Sequence, residues 1–280
     1  IYASESSVYR TVGLFEERMS RLSDEEVKDG KAVAQSIAEY AIECSLNKFF
    51  ASEVLDYVVD EGVQIHGGYG FMAEYEIERM YRDSRINRIF EGTNEINRLL
   101  VPGTFLKKAL KGELPLLQKA QELSEGLMMM MPEEAGEEPL DQEKLLVKNA
   151  KKIGIMIAGL AAQKFGTELE KEQEILVNIA DIASLVYAME SAVLRTEKAV
   201  RATGLEKNKQ KLLYTQIFCQ EAFGEIEKHA KETLVATETG DTLRMMTSAL
   251  RKFTRFTPVN VIALKREAAV KIVDAERFVL

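Results

Sequence analysis

The segment RIFEGTNEINRLL, residues 88–100, holds a carboxylate in an unusual place. Glu91 stands between an apolar pair, Ile89–Phe90, and a Gly-Thr step at which a helix can begin. Acids at helix starts normally follow the cap and face the exposed backbone N–H groups. This one precedes the cap. Glu91 is therefore either a solvated turn residue or an acid held in a pocket, where a carboxylate can take and return protons.

Upstream, GVQIHGGYGF (62–71) places Gly67 and Gly68 side by side. Paired glycines let backbone N–H groups come close to a phosphate, although such a pair is more often only a turn. Arg79, Arg82, Arg85 and Arg88 form a dense cluster with Glu76, Glu78 and Asp83 interleaved. Interleaving favours internal ion pairs over a nucleic-acid patch. His66 and His229 are isolated, so no metal site is expected. His66 is assigned no catalysis and is expected to be packed. Cys44 and Cys219 lie far apart and outside any CxxC pattern, which fits a reducing compartment without a disulfide framework.

Helices are expected to carry these residues. Apolar residues recur at three- and four-residue steps, alternating strand-like runs are nearly absent, and only five prolines occur. The periodicity predicts helices over 2–21, 31–62 and 77–85, and one starting at Asn94. Further helices are predicted over 144–166, 172–204, 209–239, 243–253 and 259–279. The second of these should turn Ala34, Ile37, Ala38, Ala41, Leu46, Phe49, Phe50, Val54, Leu55 and Val58 inward. The fold class is all-α: one helical bundle over 1–120 and a second, degenerate helical domain over 144–280.

Between them, residues 122–143 contain eight acids and no Lys or Arg, with two of the prolines and the run GLMMMMP. This reads as a mobile linker over 121–143. The Met run and the preceding FLKKALKGELPLLQKA are candidates for peripheral membrane contact, which the acidic run would oppose at anionic lipid. The whole chain has 280 residues, 46% apolar and 29% charged, with net charge −8. That is a globular composition and argues against nucleic acid as the main partner. No apolar run is read as approaching the roughly 20 residues of a membrane span. The chain opens in helical periodicity without Met, cap or leader, and a longer parent protein is expected.

Residues 63–100 together resemble the C-terminal signature of the acyl-CoA dehydrogenases. The pattern is Q-x-x-GG-x-G-[FY], then E-x-x-x-E-R-x-x-RD-x-[RK], then [YF]-EGT-N-[ED]-I-x-R. An extension past the signature resembles the very-long-chain type and its bacterial relatives. The resemblance implies oxidation of an acyl-CoA to the trans-2-enoyl-CoA in fatty acid β-oxidation. Glu91 would remove the α proton, and the β hydrogen would leave as hydride to FAD. The Glu91 N–H would help hold the thioester oxygen. Gly92 would clear space for substrate and flavin. FAD contacts would come from Thr93, Asn94 and Glu95, with Gln64, Ile65, His66, Gly67 and Gly68 meeting the adenosine–pyrophosphate part of a neighbouring subunit's FAD. Electron-transfer flavoprotein is the implied acceptor and a homodimer the implied assembly. Bacterial cytoplasm and the matrix side of the mitochondrial inner membrane both fit. The alternative is a helical interaction or dimerisation module that keeps the signature without the chemistry.

There is also an internal echo. YASESSVYRT (2–11) and YAMESAVLRT (187–196) agree at Tyr, Ala, Glu, Ser, Val, Arg and Thr. A degenerate duplication is the reading adopted. Opposite RIFEGTNEINR, the second half offers RFTPVNVIALKR (255–266), with Thr257 and Pro258 near the acid's place and no acid of its own.

Overall fold

The computed structural model describes residues 1–127 and 131–280, and the described residues contain helices and no strand. They divide into two compact units, one of Ile1 with Ala3–Thr104 and one of Tyr2 with Phe105–Leu280. The divide falls inside a helix and before the expected boundary at 120.

In the first unit, α1 spans Tyr2–Met19, α2 Asp24–Lys28, α3 Gly30–Ala38, α4 Ala41–His66, α5 Glu76–Ser84 and α6 Asn94–Leu110. Local chemistry fixes several ends. Ser23 and Glu26 form a reciprocal capping box before α2, and the Asp29 carboxylate accepts from the Lys31 N–H before α3. The helix predicted over 31–62 is interrupted at Glu39–Tyr40, where Tyr40 leaves helical geometry and its ring sits edge-on to Phe15 of α1. Beyond that break α4 runs four residues past Gly62. It stops at Gly67, whose φ of 58° ends a helix at no cost in side-chain clash.

Burial in α4 follows Ile42, Leu46, Phe49 and Val59. Of the predicted inner face, Leu46 and Phe49 are buried, whereas Ala34, Ile37, Ala38 and Leu55 are exposed; the first three of these lie on α3, which the break at Tyr40 puts out of phase with α4. Gly62 lets α5 come close: a Cβ there would lie 2.7 Å from Ile77 Cδ1.

In the second unit, α7 spans Leu116–Gly126, α8 Asp141–Phe165, α9 Gln173–Thr203, α10 Lys209–Thr237, α11 Gly240–Phe253 and α12 Val261–Ala275. Helices α8, α9 and α10 enclose Leu146, Ile153, Ile157, Ile182, Met189, Phe223, Ile226 and Leu234, each almost wholly buried. One window of α9 has a mean hydropathy of 1.4, enough by length and composition to cross a bilayer. That departs from the expectation that no run approaches such a span. More than half of the window is buried within the protein, so its apolar surface already serves the core.

The segment expected as a loose linker is largely tied down where it is described. Helix α7 runs to Gly126 and packs so closely on α8 that a Cβ at Gly159 would lie 2.6 Å from the Ala120 methyl. Leu127 and Leu140 are buried, and Glu133 pairs with Lys148 at 2.5 Å and Lys152 at 2.7 Å. The Met128–Met130 stretch of the proposed lipid-contacting run lies outside the described residues.

Glu143, in the first turn of α8, is 2% exposed. Burial raises its carboxyl above the ordinary range and the Asp141 charge adds to this, while its own backbone N–H pulls it down. An acid raised by folding contributes stability that is full below its unfolded value and lost as pH rises through its folded value. Glu143→Gln is neutral at every pH. Its melting temperature should match the parent's at about pH 4 and exceed it by a few degrees at about pH 8. Parallel melting curves with a constant gap across that range would show that Glu143 carries no such penalty.

Candidate active site

The predicted site residues fall in two places on the first unit: the end of α4 and the turn before α6. The α4 end leads into a 3-10 turn, Gly67–Phe71, packed back on the helix. Gly70 makes that packing possible, because a Cβ there would lie 2.6 Å from the Val63 carbonyl oxygen. Gln64, Ile65, His66, Gly67 and Gly68 are all exposed. Nothing lies within 4 Å of where a Cβ would stand at Gly67 or Gly68. The cradle is open and its flanks are apolar, with Ile65 and Phe71 each 82% exposed. His66 is not the packed histidine expected. Its ring is exposed and Nδ1 lies 2.8 Å from the Gly62 carbonyl oxygen, because the extra turn of α4 carries it to the solvent side of the helix end.

The turn before α6 holds one of three non-glycine residues with positive φ among the described residues, the others being Leu140 and Glu276. Glu91 has φ 55° and Gly92 has φ 80°. Two successive left-handed residues, the first with a full side chain, are rare, and strain of this kind gathers at functional positions. Glu91 is exposed, so among the described residues no wall supplies the expected pocket. Thr93 caps the helix, its hydroxyl oxygen accepting from the Ile96 N–H at 3.3 Å. Glu95 is exposed; its own backbone N–H and then the Thr93 hydroxyl hold its carboxyl below the usual range.

Asn94 departs from the expected ligand-facing role. It is 2% exposed. Its carboxamide oxygen accepts from Lys48 Nζ at 2.8 Å, and its nitrogen donates to Ser52 Oγ at 2.9 Å and Glu53 Oε1 at 3.1 Å. A buried amide with this many partners anchors the helix start to α4. Arg98 adds a bidentate pair to Glu53, at 2.6 and 2.8 Å, and lies over the Phe49 ring at 4.5 Å. Arg88 pairs with Asp56 of α4 at 3.1 Å rather than within its own cluster, whereas Arg79–Glu76 and Arg82–Glu78 are the short-range pairs expected.

Sequence reasoning missed Glu53, Asp56 and Asn97. Their partners lie up to 45 residues away, or, for Asn97, five residues back at the Gly92 carbonyl, and no spacing rule marks them. Among the described residues no three His, Cys, Asp or Glu side chains gather as metal ligands.

The family description "Acyl-CoA dehydrogenase, C-terminal domain" matches the chain twice, over 19–103 and over 149–252. The chain is 72% identical over 278 residues to a probable acyl-CoA dehydrogenase of Bacillus subtilis, covering 99% of this chain and 47% of the relative. It is 32% identical to the human mitochondrial very long-chain specific acyl-CoA dehydrogenase over 69% of this chain and 32% of that protein. A Bacillus anthracis acyl-CoA dehydrogenase solved in complex with FAD superposes with a TM-score of 0.97 at 78% identity, covering 100% of this chain and 47% of that one. The chain thus spans about half the length of these bacterial relatives.

Proposed function

Because the chain belongs to the acyl-CoA dehydrogenase family and carries two of its C-terminal domains, we propose that it is the C-terminal part of an FAD-dependent acyl-CoA dehydrogenase of the very-long-chain type, inactive by itself. The observation that carries this reading is the left-handed Glu91–Gly92 step, which holds a full-sized acid in strained backbone at the start of α6.

FAD fits the residues present. The open backbone at Gly67 and Gly68 can take a phosphate, and the exposed Ile65 and Phe71 beside it suit a flat ring. Gln64–Gly68 would hold the adenosine–pyrophosphate part, with Thr93 and Glu95 at the flavin. Asn94 would contribute only its backbone N–H, its side chain being committed inward. When bound, FAD supplies the acceptor for the hydride that leaves the substrate's β carbon. Glu91 takes the α proton, so the C–H electrons form the new α,β double bond of the trans-2-enoyl thioester as the β hydride departs. The Glu91 backbone N–H steadies the thioester oxygen as negative charge grows there. Gly92 adds no side chain where substrate passes. The remaining walls, which would exclude water from Glu91, are assigned to the longer protein. Electron-transfer flavoprotein is the proposed acceptor of the electrons. Anaerobic reduction of the bound flavin by acyl-CoA tests the reading, with Glu91 as the variable.

The second domain repeats the first without its chemistry. Aligning Thr93 with Asn260 puts the start of α6 at Asn94 opposite the start of α12 at Val261. The Asn260 side chain caps α12 by accepting from the Ala263 N–H at 3.0 Å, as Thr93 caps α6. Pro258 then stands in the place of Glu91. The proline ring holds φ near about −65°, so the left-handed acid cannot form there. We assign this domain to assembly, leaving the protein a homodimer. Deleting 115–280 keeps α6 whole and removes α7 together with the α8 it packs on. The deletion should yield tetramers or aggregates by light scattering. A soluble, active dimer after the deletion would contradict the assignment.

A further inference from the structure

The strained turn raises a question the family chemistry leaves aside: what keeps Glu91 and Gly92 left-handed? Asn94 fixes the helix that follows, but it acts one residue beyond the turn. A constraint on the turn itself comes from the side chain of Asn97. Its Nδ2 donates to the Gly92 carbonyl oxygen at 2.8 Å and to the Thr93 carbonyl oxygen at 3.1 Å. Two carbonyl oxygens within reach fix which end of the amide faces them. The Asn97 backbone N–H donates to the same Thr93 oxygen at 3.0 Å, so main chain and side chain close on one point. The amide also lies against Gly92 itself: a Cβ there would stand 3.1 Å from Nδ2, so the missing side chain at Gly92 makes room for Asn97 from within the protein.

We propose that Asn97 is the positioning residue for Glu91, its carboxamide bridging the Gly92 and Thr93 carbonyls so that the left-handed step carrying the acid cannot relax. Fixing the Gly92–Thr93 peptide plane removes the rotation by which Gly92, the most pliable residue of the turn, would release Glu91 toward ordinary backbone. Glycine without this latch would make the turn permissive; with it, the turn is set. The proposal rests on the reading of Glu91 as the base, and it makes Asn97 matter only through that base. Asn97 has no spacing signature, and the family pattern leaves its position open.

The test uses the full-length flavoprotein and stopped-flow reduction of its flavin by saturating acyl-CoA. Asn97→Ala should slow the limiting rate about tenfold, the scale of one hydrogen bond lost from a positioned group, with flavin content and half-saturating substrate concentration unchanged. Asn97→Asp keeps the side-chain shape but loses both donors, and it should reproduce the slowing. In a Glu91→Gln background, Asn97→Ala should add less than about twofold, because residues acting as one unit are not additive. A normal rate in Asn97→Ala beside a slow Glu91→Gln overturns the proposal and leaves the reading of Glu91 standing. An Asn97→Ala loss of equal size in both backgrounds also overturns it, since the residue would then act on general structure. A normal rate in Glu91→Gln alone overturns the reading of the base and the proposal with it.

Discussion

Replacing Glu91 with Gln should leave FAD bound to the full-length protein and slow its reduction by acyl-CoA at least about a hundredfold, the scale on which a lost general base is felt. The amide matches the carboxylate in shape and fits the same turn, so binding of flavin and substrate should survive. What it lacks is affinity for a proton. The α hydrogen of a thioester is only weakly acidic, and without an acceptor the double bond has no route to form. Glu91→Gly separates chemistry from strain. Glycine accepts the φ of 55° freely, so this variant should be as inactive as Glu91→Gln yet no less stable than the parent. Flavin bleaching at a near-parental rate in Glu91→Gln would remove the residue from its role. A melting temperature well below the parent's in Glu91→Gly would show that the turn is unstrained.

The second large effect is expected at the glycine pair, which the structure divides into two different experiments. Gly67 has φ 58°, where an L side chain is strained whatever the space around it, and it terminates α4. Gly67→Val should therefore disturb both the turn and the flavin, with a strain cost on the order of 1–3 kcal/mol. Gly68 has open space around its Cβ position and no left-handed φ. Gly68→Val should fold normally, so loss of flavin from it reports on the ligand alone: the branched side chain would stand where backbone N–H groups must meet phosphate. The ratio of visible to protein absorbance after purification measures this. Most of the flavin should be lost from both variants, with a lowered melting temperature only in Gly67→Val. A full complement of flavin in Gly68→Val would mean that this end of α4 does not hold the cofactor.

The sequence made the longer helices legible, because a 3.6-residue apolar period is local, but α2 and α7 were not among those expected. It also determined many of their ends, through capping side chains and glycines acting within four residues. The same locality made the signature legible: Gln64, the Gly67–Gly68 pair and Glu91–Gly92–Thr93 form a pattern of type and spacing. How those residues are used depends on contacts between segments remote in the chain. Asn94 turns inward because Lys48, Ser52 and Glu53 of α4 offer its amide more partners than solvent-facing positions do. Arg88 leaves its own acidic cluster for Asp56, and Arg98 finds Glu53, through chain separations that no periodicity encodes. The break at Tyr40 and the burial of Glu143 likewise arise from packing between segments remote in sequence. Glu91's left-handed backbone belongs to the same group. A glutamate has no intrinsic preference for φ 55°, and the conformation persists only where neighbours hold it.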